Sequence, residues 1–463
     1  MAPIPMPPSG VDKIARMNFV YDDGWPAYEK AVAAKVKKDW SAARTLAESS
    51  VGKDPYHLDA HRLLATILTQ AGEHAAVVDH LVTALANDYW AYGPSLATDA
   101  DLKDFITTQH GQSVVALAQK IRDDYTKRIA NGVWLVARRS TWKWPKEGLQ
   151  PATTRGELYA YDRETRRYLR LTHTGHRVAG FVRSATGSEV AILGFDKIDR
   201  PKAPSATSGT IASAWVIVLD TATWKALGPK ASLGTGRELQ LGYGAGDQLI
   251  VGVDSAVSSI DKTTGKLSAG ATLPFPRISL SLDEGKVVRA PDGIEAAWSG
   301  EPPVTTSIKV TGGAAIAIPE SGSTAQSTIA VAPGAGHVAF STWVDPCAKE
   351  VAPSLYVADT KKGALKHLLT AASRFATRWL DPVTLAYEDG EGAIRLWDAG
   401  TAREALKLEN KVGIALDVLS ISAAPVCKAA PPTVDAGSGA GAGSADEPLP
   451  PEEGSTGPVT APQ

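Results

Sequence analysis

One phrase recurs along the C-terminal two-thirds of the chain: an aliphatic run, then aspartate, then a turn. It reads LYAYD ending at Asp162, VIVLD at Asp220, VSSID at Asp261, LYVAD at Asp359 and IRLWD at Asp398. A degenerate copy, SIKVTGG, spans 307–313. Each aspartate is followed by Thr or Gly and then by another short run, as in RYLRLT at 167–172, LKHLLT at 365–370 and EALKL at 404–408. An aspartate at a strand end accepts hydrogen bonds from the N–H groups of the turn behind it, so its recurrence needs no catalytic explanation. Upstream of most copies lies a second phrase, in which a tight turn joins two apolar strands: AGFVRSATGSEVAIL, ISLSLDEGKVV, IAVAPGAGHVAFS and TRWLDPVTLAY.

From residue 130 onward the apolar period is two, which reads as strands. Four short strands per unit, repeating every ~40 to 60 residues, is the pattern of a β-propeller. Six units fit better than seven, with innermost strands expected near 178–183, 238–243, 278–282, 328–332, 375–380 and 414–421. The last has no strands after it. It is expected to join the strands of 132–172 and close the ring with chain from both ends, which removes exposed sheet edges. VAPGAGHVAFS followed by SLYVADTKKGALKHLLT resembles the repeat of the TolB-like, WD40-like propellers, and ELYAYDRETRRYLRLT at 157–172 shares the ending. The turn of that family is nowhere intact: Pro333 keeps its proline, and Asp283 begins a partial match. The resemblance implies fold more than function, because the family binds proteins and sugars in several settings.

Between Trp25 and Tyr125 the period is helical, with helices expected at 25–37, 40–52, 57–71, 73–86 and 111–126. Leu64, Ala65 and Leu68, a break at Gly72, then Val77, Leu81, Ala84 and Leu85 resemble a tetratricopeptide repeat, preceded by a unit ending at Pro55. Val77 and Tyr89 depart from that pattern, which usually has Ala and Pro there. About two repeats make a poor free-standing solenoid, so this unit is expected to dock on the rest of the chain.

The expected fold class is thus α+β multidomain: a Pro-rich arm over 1–22, a TPR-like helical domain over 23–128, a six-bladed propeller over 129–427, and a tail over 428–463. The tail carries Pro, Gly, Ala, Ser and acids without aromatics and is expected to be disordered. Among 463 residues, 48 Lys+Arg against 50 Asp+Glu give a net charge of −2, which argues against a nucleic-acid partner. No apolar run approaches the ~18 to 20 residues of a membrane span.

Arg177, Arg237, Arg277 and Arg374 each precede an expected innermost strand, which would gather them at one channel mouth. Arginine forks suit carboxylate or phosphate, so an anionic or peptide ligand is expected there. The competing reading pairs each with a local acid such as Glu238 or Asp283. Trp142, Lys143 and Trp144 lie in a long loop, where aromatics beside a cation suit a protein or glycan partner, or packing against the helices. His57 and His61 stand at i and i+4, with Asp59 on another face, and His173 and His176 lie in a loop. Neither pair completes a metal or protease motif, and no metal or cofactor is expected.

Cys347 and Cys427 are the only cysteines. Even number and flanking prolines suit a disulfide; the strand order, which sends them to opposite ends of the ring, argues against one. The expected function is a non-catalytic protein-interaction or ligand-binding scaffold. The expected setting is a bacterial periplasm or secreted surface, with an expected signal peptide removed or replaced at Met1, and the cytoplasm as the alternative. A propeller hydrolase or lactonase, or a peptidoglycan-binding module, remains the alternative function.

Overall fold

The computed structural model describes residues 4–12, 24–139, 142–144, 148–150, 155–184, 186–199, 210–274, 278–283, 286–289, 294–299, 304–310, 312–319, 329–342, 354–370, 377–379, 382–388, 394–408 and 414–416. The chain separates into Met1–Ala424 and Pro425–Gln463, and all described residues belong to the first unit. It is an α+β chain, helices first and antiparallel sheets after.

The helical part contains α1 (Trp25–Val36), α2 (Trp40–Lys53), α3 (Leu58–Gln70), α4 (His74–Asn87), α5 (Tyr89–Tyr92), α6 (Lys103–Ile106) and α7 (Gln109–Asn131). Polar side chains fix the starts. Asp39 accepts from the Ala42 N–H at 3.1 Å and Thr108 from Gly111 at 3.1 Å, each satisfying a donor with no partner inside the helix. Buried alanines at 31, 43 and 47 let α1 and α2 approach closely. α3 is buried from Leu63 through Thr69 on every side, because it lies between α2 and α4. The last helix runs beyond the expected 111–126, and its extra turn carries Arg128 to the first sheet.

Six sheets of three or more strands follow among the described residues, beside a two-stranded ribbon of Trp142–Trp144 and Gly148–Gln150. The first orders its strands Ile414–Leu416, Val133–Arg139, Glu157–Asp162, Arg167–Arg170; the second runs Val178–Arg183, Glu189–Asp199, Thr210–Asp220, Ala231–Gly236. The fifth (Ala330–Val331, His337–Ser341, Ser354–Asp359, Leu365–Thr370) and sixth (Thr377–Trp379, Thr384–Glu388, Ile394–Asp398, Arg403–Leu408) are also simple four-stranded meanders. The expected pairing of the 414–421 segment with the first strands is present, Ala137 facing Leu416 and Arg139 facing Ile414.

The middle departs from expectation. Glu238–Tyr243 and Ile278–Asp283, expected in separate units, pair antiparallel, Leu239 facing Leu280. The third sheet therefore has six strands, from Leu267–Ala269 through Ala256–Ile260, Leu249–Val253 and this pair to Lys286–Arg289. The remaining strands, Ile294–Ser299, Val304–Val310 and Ala315–Ala317, form a fourth sheet of their own. A free edge of unpaired N–H and C=O groups accepts any strand of matching alternation, and Ile278, Leu280 and Leu282 supply it.

Sheets pack face to face through alternate residues. Val190, Ile192, Trp215 and Leu219 of the second sheet join the core shared with the helices and first sheet, whereas Ala191, Leu193, Val216 and Val218 join a core with Leu239, Leu241 and Val251 of the third. Ile308 and Ile316 of the fourth meet Val338 and Phe340 of the fifth; Leu355 and Val357 meet Trp379 and Leu385 of the sixth. Leu396 of the sixth sheet lies in one core with Leu135 and Tyr159 of the first.

The recurrent aspartates do what the turn chemistry requires. Asp162 accepts from the Glu164 N–H at 3.0 Å, Asp220 from Thr223 at 2.6 Å, Asp261 from Thr263 at 2.9 Å, Asp359 from Lys361 at 2.9 Å and Asp398 from Thr401 at 2.9 Å. These bonds hold Asp220, Asp261 and Asp359 below the usual carboxylate range, led by the Thr223 hydroxyl, the Thr264 hydroxyl and the Lys362 N–H respectively.

The N-terminal arm crosses the outer edge of the first sheet. Val11 and Tyr168 exchange N–H···O bonds of 2.9 and 2.7 Å, covering an edge that would otherwise stay unpaired. Gly10, at φ +82°, lies so close to the strand that a Cβ would stand 2.6 Å from the Tyr168 carbonyl oxygen, so no larger residue fits.

Candidate functional site

Two of the four expected arginines are described. Arg177 donates to Asp196 at 3.2 Å, with the two side chains 50% and 42% exposed. Such a pair contributes at most ~1 kcal/mol, but it offsets the charge locally. Arg155 lies alongside, 5.1 Å over the Phe195 ring and donating to the Phe195 carbonyl at 3.1 Å. The Arg237 backbone is held by Asp254, which accepts from the Arg237 N–H at 2.7 Å and the Glu238 N–H at 2.9 Å. Arg237 therefore meets the turn between the second and third strands of its own sheet, whereas Arg177 meets Asp196 within the second strand itself. Arg277, Arg374, Cys347 and Cys427 lie outside the described residues. Trp142–Trp144 forms a two-stranded ribbon with Gly148–Gln150 in backbone register, Lys143 facing Leu149.

The histidines are structural. His57 caps α3, its Nδ1 accepting from the Ala60 N–H at 3.2 Å. His61 is buried: its Nε2 lies 3.0 Å from the Pro55 carbonyl and its Nδ1 2.9 Å from His80 Nδ1. The carbonyl requires a proton on His61 Nε2, which leaves Nδ1 to accept from His80. Burial, above all, lowers both imidazole pKa values, with the neighbouring histidine acting in the same sense. Among the described residues no group of three or more His, Cys, Asp or Glu is arranged to hold a metal.

His173, expected on a surface loop, instead reaches back to the helices. Its Nε2 lies 2.9 Å from Asp88, a buried carboxylate that also starts α5. Arg170 approaches Asp88 at 3.8 Å and Glu157 at 3.5 Å. Glu157, fully buried, accepts from the Thr172 hydroxyl at 2.5 Å, the Thr174 N–H at 2.7 Å and hydroxyl at 3.1 Å, and the His176 N–H at 2.8 Å. One carboxylate from the first sheet thus sets the path of the 171–177 loop, and one from the helices anchors it. Tyr92 adds a 2.7 Å bond to Asp59, and burial, then Asp59 and Asp88, push its hydroxyl well above its ordinary pKa.

That loop forms one wall of a cleft of about 580 Å³ between the helices and the second sheet. Tyr89, Trp90 and Leu96 line it from the helical side, and Ile192, Ile217 and Leu219 from one face of the second sheet. Trp224 also stands in the lining. Its backbone takes φ 56°, a left-handed conformation costing a β-carbon residue roughly 1–2 kcal/mol. The strain is held by its contacts: the indole N–H donates to the Leu171 carbonyl at 2.5 Å, and the ring lies edge-on to Trp134 at 5.4 Å. Arg122, Lys225 and Lys230 stand in the lining, with no aspartate or glutamate among the lining residues. Lys230 lies 4.3 Å over the Trp215 ring. The cleft is apolar inside and positive in charge, a combination that receives an anion with an apolar body. It was not foreseen from sequence, because its walls come from segments that no local pattern connects.

No family model matches the chain, and no curated protein matches it. Among solved structures, it is similar to the tricorn protease (TM-score 0.34, 12% identity), over 60% of this chain and 26% of that one. The chain thus spans about a quarter of the tricorn protease. It is also similar to TolB from Acinetobacter baumannii (TM-score 0.33, 11% identity, 67% and 73% of the two chains). Sqt1 from Saccharomyces cerevisiae aligns with a TM-score of 0.25 at 10% identity, over 55% and 80%. Likenesses this loose carry no argument about fold or activity.

Proposed function

We propose that this chain is a non-catalytic interaction scaffold of the bacterial envelope: a TPR-like helical unit welded to a six-bladed propeller, binding an anionic or peptide segment of a protein partner. Support for the propeller lies in the face-to-face succession of sheets and in the strand at Ile414–Leu416, which completes the first sheet from the far end of the chain. The observation that carries the function is the fusion of the two parts. Asp88, Arg170, Glu157 and Arg128 bridge helices and sheets from buried positions, so the molecule presents one rigid surface with a cationic cleft at the seam. Among the described residues, the five strand-end aspartates, Glu157, Asp88, His61 and His80 hold turns, loops and one another.

Photo-crosslinking tests the reading. A crosslinking residue at position 177 or 225 of the full chain is expected to capture one partner saturably from envelope extract. That partner, once purified, should bind the full chain with micromolar or tighter affinity. Ester or lactone turnover by the purified chain, with no partner captured, would replace the scaffold with the hydrolase reading.

A further inference from the structure

We infer that the cleft between the helices and the second sheet takes an extended acidic–aromatic segment of a partner protein, apolar side chains inward and carboxylates toward Arg122, Lys225 and Lys230. This rests on the scaffold reading above and names its recognition chemistry. Three observations carry it. The first is charge: the lining holds three permanent cations and no carboxylate, and among the described residues none of the three has an ion-pair partner. Asp88, behind the wall, is already matched by Arg170 and His173. The second is the interior. Trp90, Trp224, Ile192, Ile217 and Leu219 offer aromatic and aliphatic surface of the kind that anchors a buried side chain at an interface. The third is size. About 580 Å³ lies within the ~300–1,000 Å³ of sites that enclose a drug-sized group. That is room for a large side chain and its neighbours in an extended chain, and too little for a folded domain. Lys and Arg stems lying over apolar surface, heads outward, would let the carboxylates stay at the rim.

The probe is a short fluorescein-labelled peptide alternating Asp and Glu with Phe and Leu, titrated with the full chain by anisotropy. Two comparison peptides replace the acids by Lys, or the apolar residues by Gly. The acidic–aromatic peptide should bind at least ~10-fold more tightly than either, a difference of about 1.4 kcal/mol. Arg122→Glu and Lys225→Glu should each weaken it ~10-fold or more. Lys361→Glu, an equal change of net charge in a turn of the fifth sheet, should leave it unchanged. Circular dichroism and thermal midpoints establish that each variant is folded.

Equal binding of the acidic and basic peptides, or full binding by both cleft variants, would overturn the assignment. Displacement of the peptide by laurate at equal concentration would reassign the cleft to an acyl carboxylate and also overturn it. A partner crosslinked at position 177 and still bound by the cleft variants would leave the scaffold reading standing while removing this one.

Discussion

Replacing Arg128 by Ala tests whether the helices and sheets share one stability. Arg128 sits in the last turn of α7, with a side chain 9% exposed. Its Nε donates to Asp162 at 2.7 Å, and its Nη1 donates to the Ser9 carbonyl at 2.8 Å and to Asp124 at 3.1 Å. Helix, sheet and N-terminal arm therefore meet on one guanidinium. Removing one partner of a buried pair costs ~3–5 kcal/mol, because the other charge stays behind uncompensated. Here Asp162 keeps its bonds from Thr165 and the Glu164 N–H, so the expected loss lies near ~3 kcal/mol, at the lower end of that range.

Urea denaturation followed by tryptophan fluorescence, on Arg128→Ala, Asp162→Ala and the double variant, reads the loss and the coupling. A coupling of ~1.5 kcal/mol or more is expected for a charge-assisted bond between groups this enclosed. The acid limb supplies a second reading. Burial alone would raise the Asp162 pKa, but Thr165, Arg128 and the Glu164 N–H together bring it below the usual value. Its stabilisation is thus present above about pH 4 and is lost as pH falls through the folded pKa. A loss under ~1 kcal/mol, the range of exposed pairs, would refute the reasoning.

Other outcomes follow from the same geometry. Glu157→Gln turns one acceptor into a donor among groups that donate, so hydrogen exchange should accelerate across 171–177 before the sheet itself opens. Trp224→Gly should be less destabilising than Trp224→Ala by ~1 kcal/mol, reversing the usual order, because only glycine takes φ 56° without strain; thermal midpoints of the two decide it. The buried pair His61 and His80, with lowered pKa values, favours the neutral fold. Stability should therefore decline as pH drops below about 6.5, where the unfolded imidazoles first take up protons, and the decline should shrink in His80→Gln.

Local chemistry was legible in the sequence wherever the partners were close in the chain. The strand-end aspartates announced their turns because acceptor and donor are two or three residues apart. The five longest helices announced themselves by period, with breaks at Pro55 and Gly72. Pairing of the final strand with the first was also readable, since no other strand remained for it. Three features were not. Ile278–Asp283 alternates like its counterparts, and nothing in its own residues says which free edge it will join. Asp88, Glu157, Arg170 and His173 belong to different elements, so their common burial has no linear signature. For the same reason the cleft was invisible: sequence pointed to arginines before the strands, whereas Arg122, Lys225 and Lys230, which have no ion-pair partner among the described residues, sit on a helix and on the turn after the second sheet's third strand.

The strand at Ile414–Leu416 sets a timetable. Val133–Arg139 leaves the ribosome with one edge paired to Glu157–Asp162 almost at once, but its other edge waits for a partner more than half the chain away. At ~5–20 residues per second, that wait is on the order of 15 to 55 s. Throughout it the nascent first sheet carries an open edge beside a finished helical unit, and a competing strand from another copy would find it unguarded. Emergence of Ile414–Leu416, rather than completion of any other sheet, is thus the moment at which this edge is covered. Chains stopped short of residue 414 should be the ones that chaperones hold and proteases remove.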